Sequence, residues 1–136
     1  MNSVIERGVV DGVTTLRSNG VAGRHLAALT FRVGRFDETL PAAGITHMVE
    51  HLTLSGHQEA GYKFNASVSG RHTTFVLETG NPADIATFLT AICGGLSADH
   101  SALLDRERRI LRTEAASRGG AGALAVSYTH LTLPTN

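Results

Sequence analysis

Tryptophan is absent, cysteine occurs once and proline three times in 136 residues, and aromatic side chains make up only 5% of the chain. A single thiol excludes an internal disulfide framework and suits a reducing compartment, so Cys93 reads as a buried structural thiol. Net charge is lacking too. Twelve basic and twelve acidic side chains cancel, which excludes the basic footprint of a nucleic-acid binder and any acidic tail aimed at a charged partner. No run approaches the ~20 apolar residues of a membrane span, and the opening MNSVIERGVV has no basic start followed by a long apolar stretch. These absences lead to the expectation of a soluble, cytoplasmic protein with no membrane segment.

What is present is a hydrophobic content of 42% without low-complexity blocks, enough for one compact domain with a core and too little for a second. Function is therefore sought in a local site. Residues 126–136 (VSYTHLTLPTN) are set aside first. They resemble the conceptual translation of a transposon-based sequencing adapter, and remnants of that kind do not belong in fold reasoning. The competing reading is an ordinary edge strand carrying Tyr128 and Thr132. With the adapter reading, residues 1–125 form a partial domain, the native chain continues beyond them, and His130 is no ligand.

Residues 4–17 and 25–33 read as two strands joined through Ser18-Asn19-Gly20, the second placing Ala27, Leu29, Phe31 and Val33 on one face. A helix is predicted from about Gly44 to Ser55, then strands at 62–69 and 71–78 around Ser69-Gly70. Asn81-Pro82 followed by Asp84 marks a helix start and Gly94-Gly95 its end. Ser97 or Asp99 starts a last helix that runs to about Ser117, before Gly119, Gly120 and Gly122. The order ββαββαα predicts an α+β fold, an antiparallel sheet with helices packed on it.

On the first helix Ile45, Met48, Val49 and Leu52 form one apolar stripe. The opposite face carries His47 and His51, one turn apart, with Glu50 beside them. Two neutral imidazoles at i and i+4 clamp a Zn²⁺ ion, and the carboxylate between them is placed to take a proton from water. This is H-x-x-E-H, the inverted form of the commoner zinc-peptidase helix. A solvated polar helix face is the bland alternative, and the last helix weighs against it.

There Leu103, Leu104, Ile110 and Leu111 form an inward arc, and Glu107 and Glu114 project from the middle of it, two turns apart. A buried carboxylate is costly unless paired or metal-bound. Glu114 completes a His₂Glu set with an open fourth position, the pattern of a catalytic zinc site. Glu107 suits an outer acceptor for a ligand-histidine N–H. Ion pairs from either glutamate to arginines such as Arg32 or Arg71 are the structural alternative. Among the other histidines, His25, His72 and His100 read as surface or hydrogen-bonded groups, and His57 as a minor substrate-contact candidate.

Together GITHMVEHL, NASVSGRHTTF and RERRILRTEA resemble the amino-terminal catalytic half of insulinase/pitrilysin-type zinc metallopeptidases, over roughly residues 9–118. The resemblance implies that His47, His51 and Glu114 are the metal ligands, Glu50 the catalytic base and Glu107 their acidic neighbour. It further implies that Asn65, Ala66 and Ser67 lie on an edge strand to which a peptide substrate adds as an extra strand. The interval from His51 to Glu114 is shorter than is usual in that family. Its members enclose their substrate between homologous halves, so the resemblance implies a second half-domain or partner subunit and an inactive fragment here. A noncatalytic peptide-binding or assembly subunit of the same fold is the rival reading.

Overall fold

A computed structural model describes residues 5–20, 22–55 and 62–117. The fold is α+β, with two antiparallel sheets and three helices. Strands β1 (Ile5–Val10) and β2 (Val13–Ser18) form a hairpin of their own. They turn at Asp11-Gly12, both with positive φ, 49° and 80°. Such a two-residue turn matches the twist of the flanking strands and strongly favours Gly at its second position. The single strand expected over 4–17 is therefore two. Every residue of this hairpin is exposed, including Ile5, Val9 and Leu16.

The second sheet has the order β3-β5-β4, with β3 at His25–Phe31, β4 at Lys63–Val68 and β5 at Thr73–Thr79. Thus β3 pairs not with the strand before it but with β5, Leu29 facing Phe75 and Phe31 facing Thr73. Non-local pairing wins because β5 is central, and alternation sends Thr73, Phe75, Leu77 and Thr79 to a single buried face. Against that face packs helix α2 (Ala83–Ser97) through Phe88 and Ile92. Ala27, Leu29 and Phe31 from β3 and Phe64 and Ala66 from β4 close the core around them. Val33, expected on that face, lies past the end of β3 and is exposed. Phe75, Leu77, Phe88 and Ile92 are each at most 1% exposed, and burial of side chains of this size contributes about 1.5–3 kcal/mol each.

Helix α2 starts where expected, with Asn81 Oδ1 accepting the Ala83 N–H at 3.1 Å and the Thr79 hydroxyl donating to Asp84. It does not stop at Gly94-Gly95. It runs on to Ser97 because Gly95 is a packing residue: a Cβ there would fall 2.8 Å from the Thr53 carbonyl oxygen of the neighbouring helix. Cys93, read as buried, is exposed on α2, since Phe88 and Ile92 are the residues that face the sheet.

Helix α1 (Ile45–Leu54) buries Thr46, Glu50, Leu52 and Thr53. Of the expected apolar stripe, Ile45 and Val49 are exposed at 53% and 41% while Leu52 is buried. The close approach of α2 at Gly95 explains this, because it turns the Thr53 side of α1 inward. A 3-10 turn at Ser101–Leu103 leads into α3 (Leu104–Ser117), with Asp99 Oδ1 accepting the Ser101 N–H at 2.9 Å. Helices α1 and α3 pack together. Among the described residues no helix is long and apolar enough to cross a membrane. His57 and residues 126–136 lie outside the described residues.

Candidate metal centre

The motif residues meet where α1 faces α3. On α1 the helical repeat brings His47 and His51 one turn apart, their rings 4.8 Å between centroids and nearly perpendicular at 84°. On α3 the spacing of seven puts Glu107 and Glu114 on the line that faces them. Glu114 reaches both imidazoles: its Oε2 is 3.6 Å from His47 Nε2, and its Oε1 is 3.5 Å from His51 Nε2. Glu50 Oε2 is 3.6 Å from His47 Nε2, and the donor atoms of His47, Glu50 and His51 all lie within 4.8 Å of one another.

These separations carry chemical information. A direct N–H···O bond would bring the heavy atoms to about 2.7–3.2 Å. Ligand atoms arranged tetrahedrally around a cation at ~2.0–2.1 Å stand about 3.3–3.4 Å apart. Values of 3.5 and 3.6 Å between the two Nε2 atoms and Glu114 are close to that ligand spacing. Two imidazoles and a carboxylate form the donor set of a catalytic zinc site. The residues present could hold a metal ion.

His51 is oriented from behind. Its Nδ1 lies 3.2 Å from Glu107 Oε2, within reach for an Nδ1–H to donate to the carboxylate, as second partners of ligand imidazoles do. Glu107 is 4% exposed, and Arg106 Nε approaches its other oxygen at 3.8 Å. Arg32 and Arg71 are exposed, and the groups that face the two glutamates across the helix pair are histidines. Glu50, 8% exposed, sits on the buried side of α1, beside the cluster.

Asn65, Ala66 and Ser67 are in β4, which pairs with β5 on one side only among the described residues. Ala66 faces the core side while Asn65 and Ser67 are exposed. The Ala66 N–H donates to Asn65 Oδ1 at 2.9 Å. His100 is a structural group, its Nε2 2.6 Å from the Gly95 carbonyl oxygen near the end of α2.

One residue outside the sequence reading holds the start of the helix that carries the histidines. Glu38, in the loop before α1, accepts the Gly44 N–H at 2.8 Å and the Thr46 N–H at 2.9 Å. Burial pushes its carboxyl up, but hydrogen bonds from the Thr46 side chain and from the Gly44 and Thr46 backbone, with Arg35 nearby, outweigh this and hold it below its ordinary value of 4.5. A carboxylate following Arg-Phe-Asp at no helical spacing from the motif offers no periodic signal.

No protein-family model matches this chain, and no curated protein matches it.

Proposed function

We propose that this chain carries the metal-binding site of a zinc-dependent endopeptidase of the insulinase/pitrilysin kind, with His47, His51 and Glu114 as ligands and Glu50 as the base. The observation that carries the reading is the approach of Glu114 to Nε2 of both histidines at ligand-like spacing, across two different helices. A polar surface patch has no need of such convergence. Zn²⁺, when bound, supplies Lewis acidity that lowers the pKa of water to ~7 and polarises a carbonyl oxygen.

The protein's own groups do the rest. Glu50, buried beside His47, takes a proton from the attacking water and returns it to the leaving amine. Glu107 holds the His51 ring in one tautomer. An extended peptide adds along the edge of β4 at Asn65, Ala66 and Ser67, where it has to displace the Asn65 side chain from the Ala66 N–H. A second half-domain or partner subunit supplies the other wall of the cleft.

A competing assignment makes Glu50 the third ligand, since His47, Glu50 and His51 are the residues whose donor atoms all lie within 4.8 Å of one another. Glu114 is favoured because it reaches Nε2 of both imidazoles from a second helix. Metal analysis of the purified chain distinguishes them. One zinc per folded chain is expected, lost in His47→Ala and Glu114→Ala and kept in Glu50→Gln. Loss in Glu50→Gln with retention in Glu114→Ala would exchange the two roles, and a folded wild type without zinc would sink the metal reading.

The rival reading, a noncatalytic peptide-binding or assembly subunit, is favoured by one feature. Ile45 and Val49 on α1 and Ile5, Val9 and Leu16 on the hairpin are exposed apolar side chains of the sort a partner covers.

A further inference from the structure

Helix α1 begins without a side-chain cap of its own. Its N-cap is Gly44, in the left-handed region at φ 88°, and a glycine has nothing with which to accept the N–H groups that a helix start leaves without intrahelical partners. Glu38 takes over that task from six residues upstream, one carboxylate oxygen on the Gly44 N–H and the other on the Thr46 N–H. Both bonds are charge-assisted and lie at the positive end of the helix dipole. Thr46 is the residue before His47, so the turn that Glu38 grips is the one that aims the first imidazole.

Glu38 is itself on a fixed mount. Gly34 is pressed against the turn between β4 and β5, where a Cβ would fall 2.6 Å from the Ser69 carbonyl oxygen and 2.7 Å from the Arg71 nitrogen. The Arg35 N–H donates to Ser69 O at 3.1 Å and the Phe36 N–H to Gly70 O at 2.8 Å. The Phe36 ring covers Gly70 so closely that a Cβ there would meet it at 2.7 Å. Asp37 Oδ2 accepts the Gly34 N–H at 2.8 Å and closes the loop, and Thr73 Oγ1 donates to Val33 O at 2.9 Å at its base.

We propose that Glu38 is a positioning residue for the metal centre: mounted by residues 34–37 on the β4–β5 turn, it sets the first turn of α1 and thereby fixes His47 relative to the open β4 edge. This rests on the zinc reading given above. It adds a role for a side chain that touches neither metal nor base.

The test uses the full 136-residue chain, with zinc affinity measured by competition against a chromophoric chelator. The visible absorption of the Co²⁺-loaded protein serves as a reporter of ligand geometry. Glu38→Ala is expected to bind zinc about ten-fold more weakly, as for loss of a group that orients a ligand, and to show a weakened Co²⁺ band. Glu38→Gln keeps one acceptor for two donors and should fall between. Asp84→Ala is the control, since it removes the Thr79 partner near the start of α2 and should lower thermal stability while leaving affinity and spectrum unchanged.

Wild-type affinity and spectrum in a folded Glu38→Ala chain would overturn the proposal. So would equal weakening by Asp84→Ala, or loss of folding in both Glu38 variants, which would make the residue a determinant of the whole domain. A wild type that binds no zinc fails the metal reading instead. Amide exchange of residues 44–48 then decides the role of Glu38: faster exchange there alone in Glu38→Ala upholds the local grip, and unchanged exchange removes it.

Discussion

Replacing Glu107 probes the support of the second imidazole, and two substitutions there should grade the effect. The carboxylate is 4% exposed and stands 3.2 Å from His51 Nδ1. Glu107→Gln preserves the shape and can still present a carbonyl oxygen to Nδ1–H, but it removes the negative charge that raises the basicity of the ring. Glu107→Ala removes the acceptor as well. It leaves a ring N–H in a poorly hydrated place, at a cost of about 1–3 kcal/mol. Loss of such partners typically weakens metal binding 10–100-fold, or about 1.4–2.8 kcal/mol at 1.4 kcal/mol per decade.

The expected order of zinc affinity is therefore wild type, then Glu107→Gln about ten-fold weaker, then Glu107→Ala approaching a hundred-fold. Chelator competition at pH 7.5, with far-UV circular dichroism to establish folding, measures it directly. Equal affinity in all three chains, or a reversed order for the two variants, would refute the claim that Glu107 orients His51.

Three further outcomes follow from the packing and charge described above. Because the folded-state pKa of Glu38 is depressed, its contribution, of the order of 1 kcal/mol for a helix-capping carboxylate, is present above its ordinary value of 4.5 and is lost as pH falls through the folded value. Urea titrations from pH 7 to pH 3 should show an acid loss of stability that is smaller in Glu38→Gln, and equal slopes would contradict this. Gly34→Ala drives a Cβ into backbone atoms that have no room to yield, so a loss of about 1–3 kcal/mol should appear as a lower thermal midpoint. An unchanged midpoint would mean that the loop is not clamped to the turn. Phe88→Ala empties the centre of the core and should cost about 3–5 kcal/mol in the same assay, with a smaller loss pointing to a core that collapses around the gap.

The helical and central parts of the fold were legible in the sequence because their signals are local. The start of α2 and the strands on either side of Ser69-Gly70 follow from caps, alternation and turn residues, whereas α3 begins only at Leu104, later than Ser97 or Asp99, because Asp99 accepts the Ser101 N–H of a 3-10 turn at Ser101–Leu103 that precedes it. The errors have tertiary causes or a neglected turn. Asp11-Gly12 is a strong hairpin signal, but apolar residues on both sides let 4–17 pass as one strand. Gly94-Gly95 looked like a helix end, whereas the contact of Gly95 with Thr53 gives that glycine a reason to stay inside α2.

The grouping of the site's side chains was legible as well. His47, Glu50 and His51 share a face by spacing alone, and Glu107 and Glu114 stood out as carboxylates in an apolar arc. The structure brings all five to one place. Glu38 was hidden because its role depends on a loop path, which no periodicity encodes.

The bond from the Ala66 amide to the side chain of Asn65 has a consequence for anything that approaches this edge. A bare strand edge is a template for indiscriminate pairing between chains. Here the amide of Ala66 is already occupied, so an arriving strand has to exchange that bond for its own. Since an exchanged hydrogen bond yields little net free energy, main-chain pairing at this point is close to neutral. A segment that adds here would gain by displacing Asn65 only if it were anchored elsewhere as well.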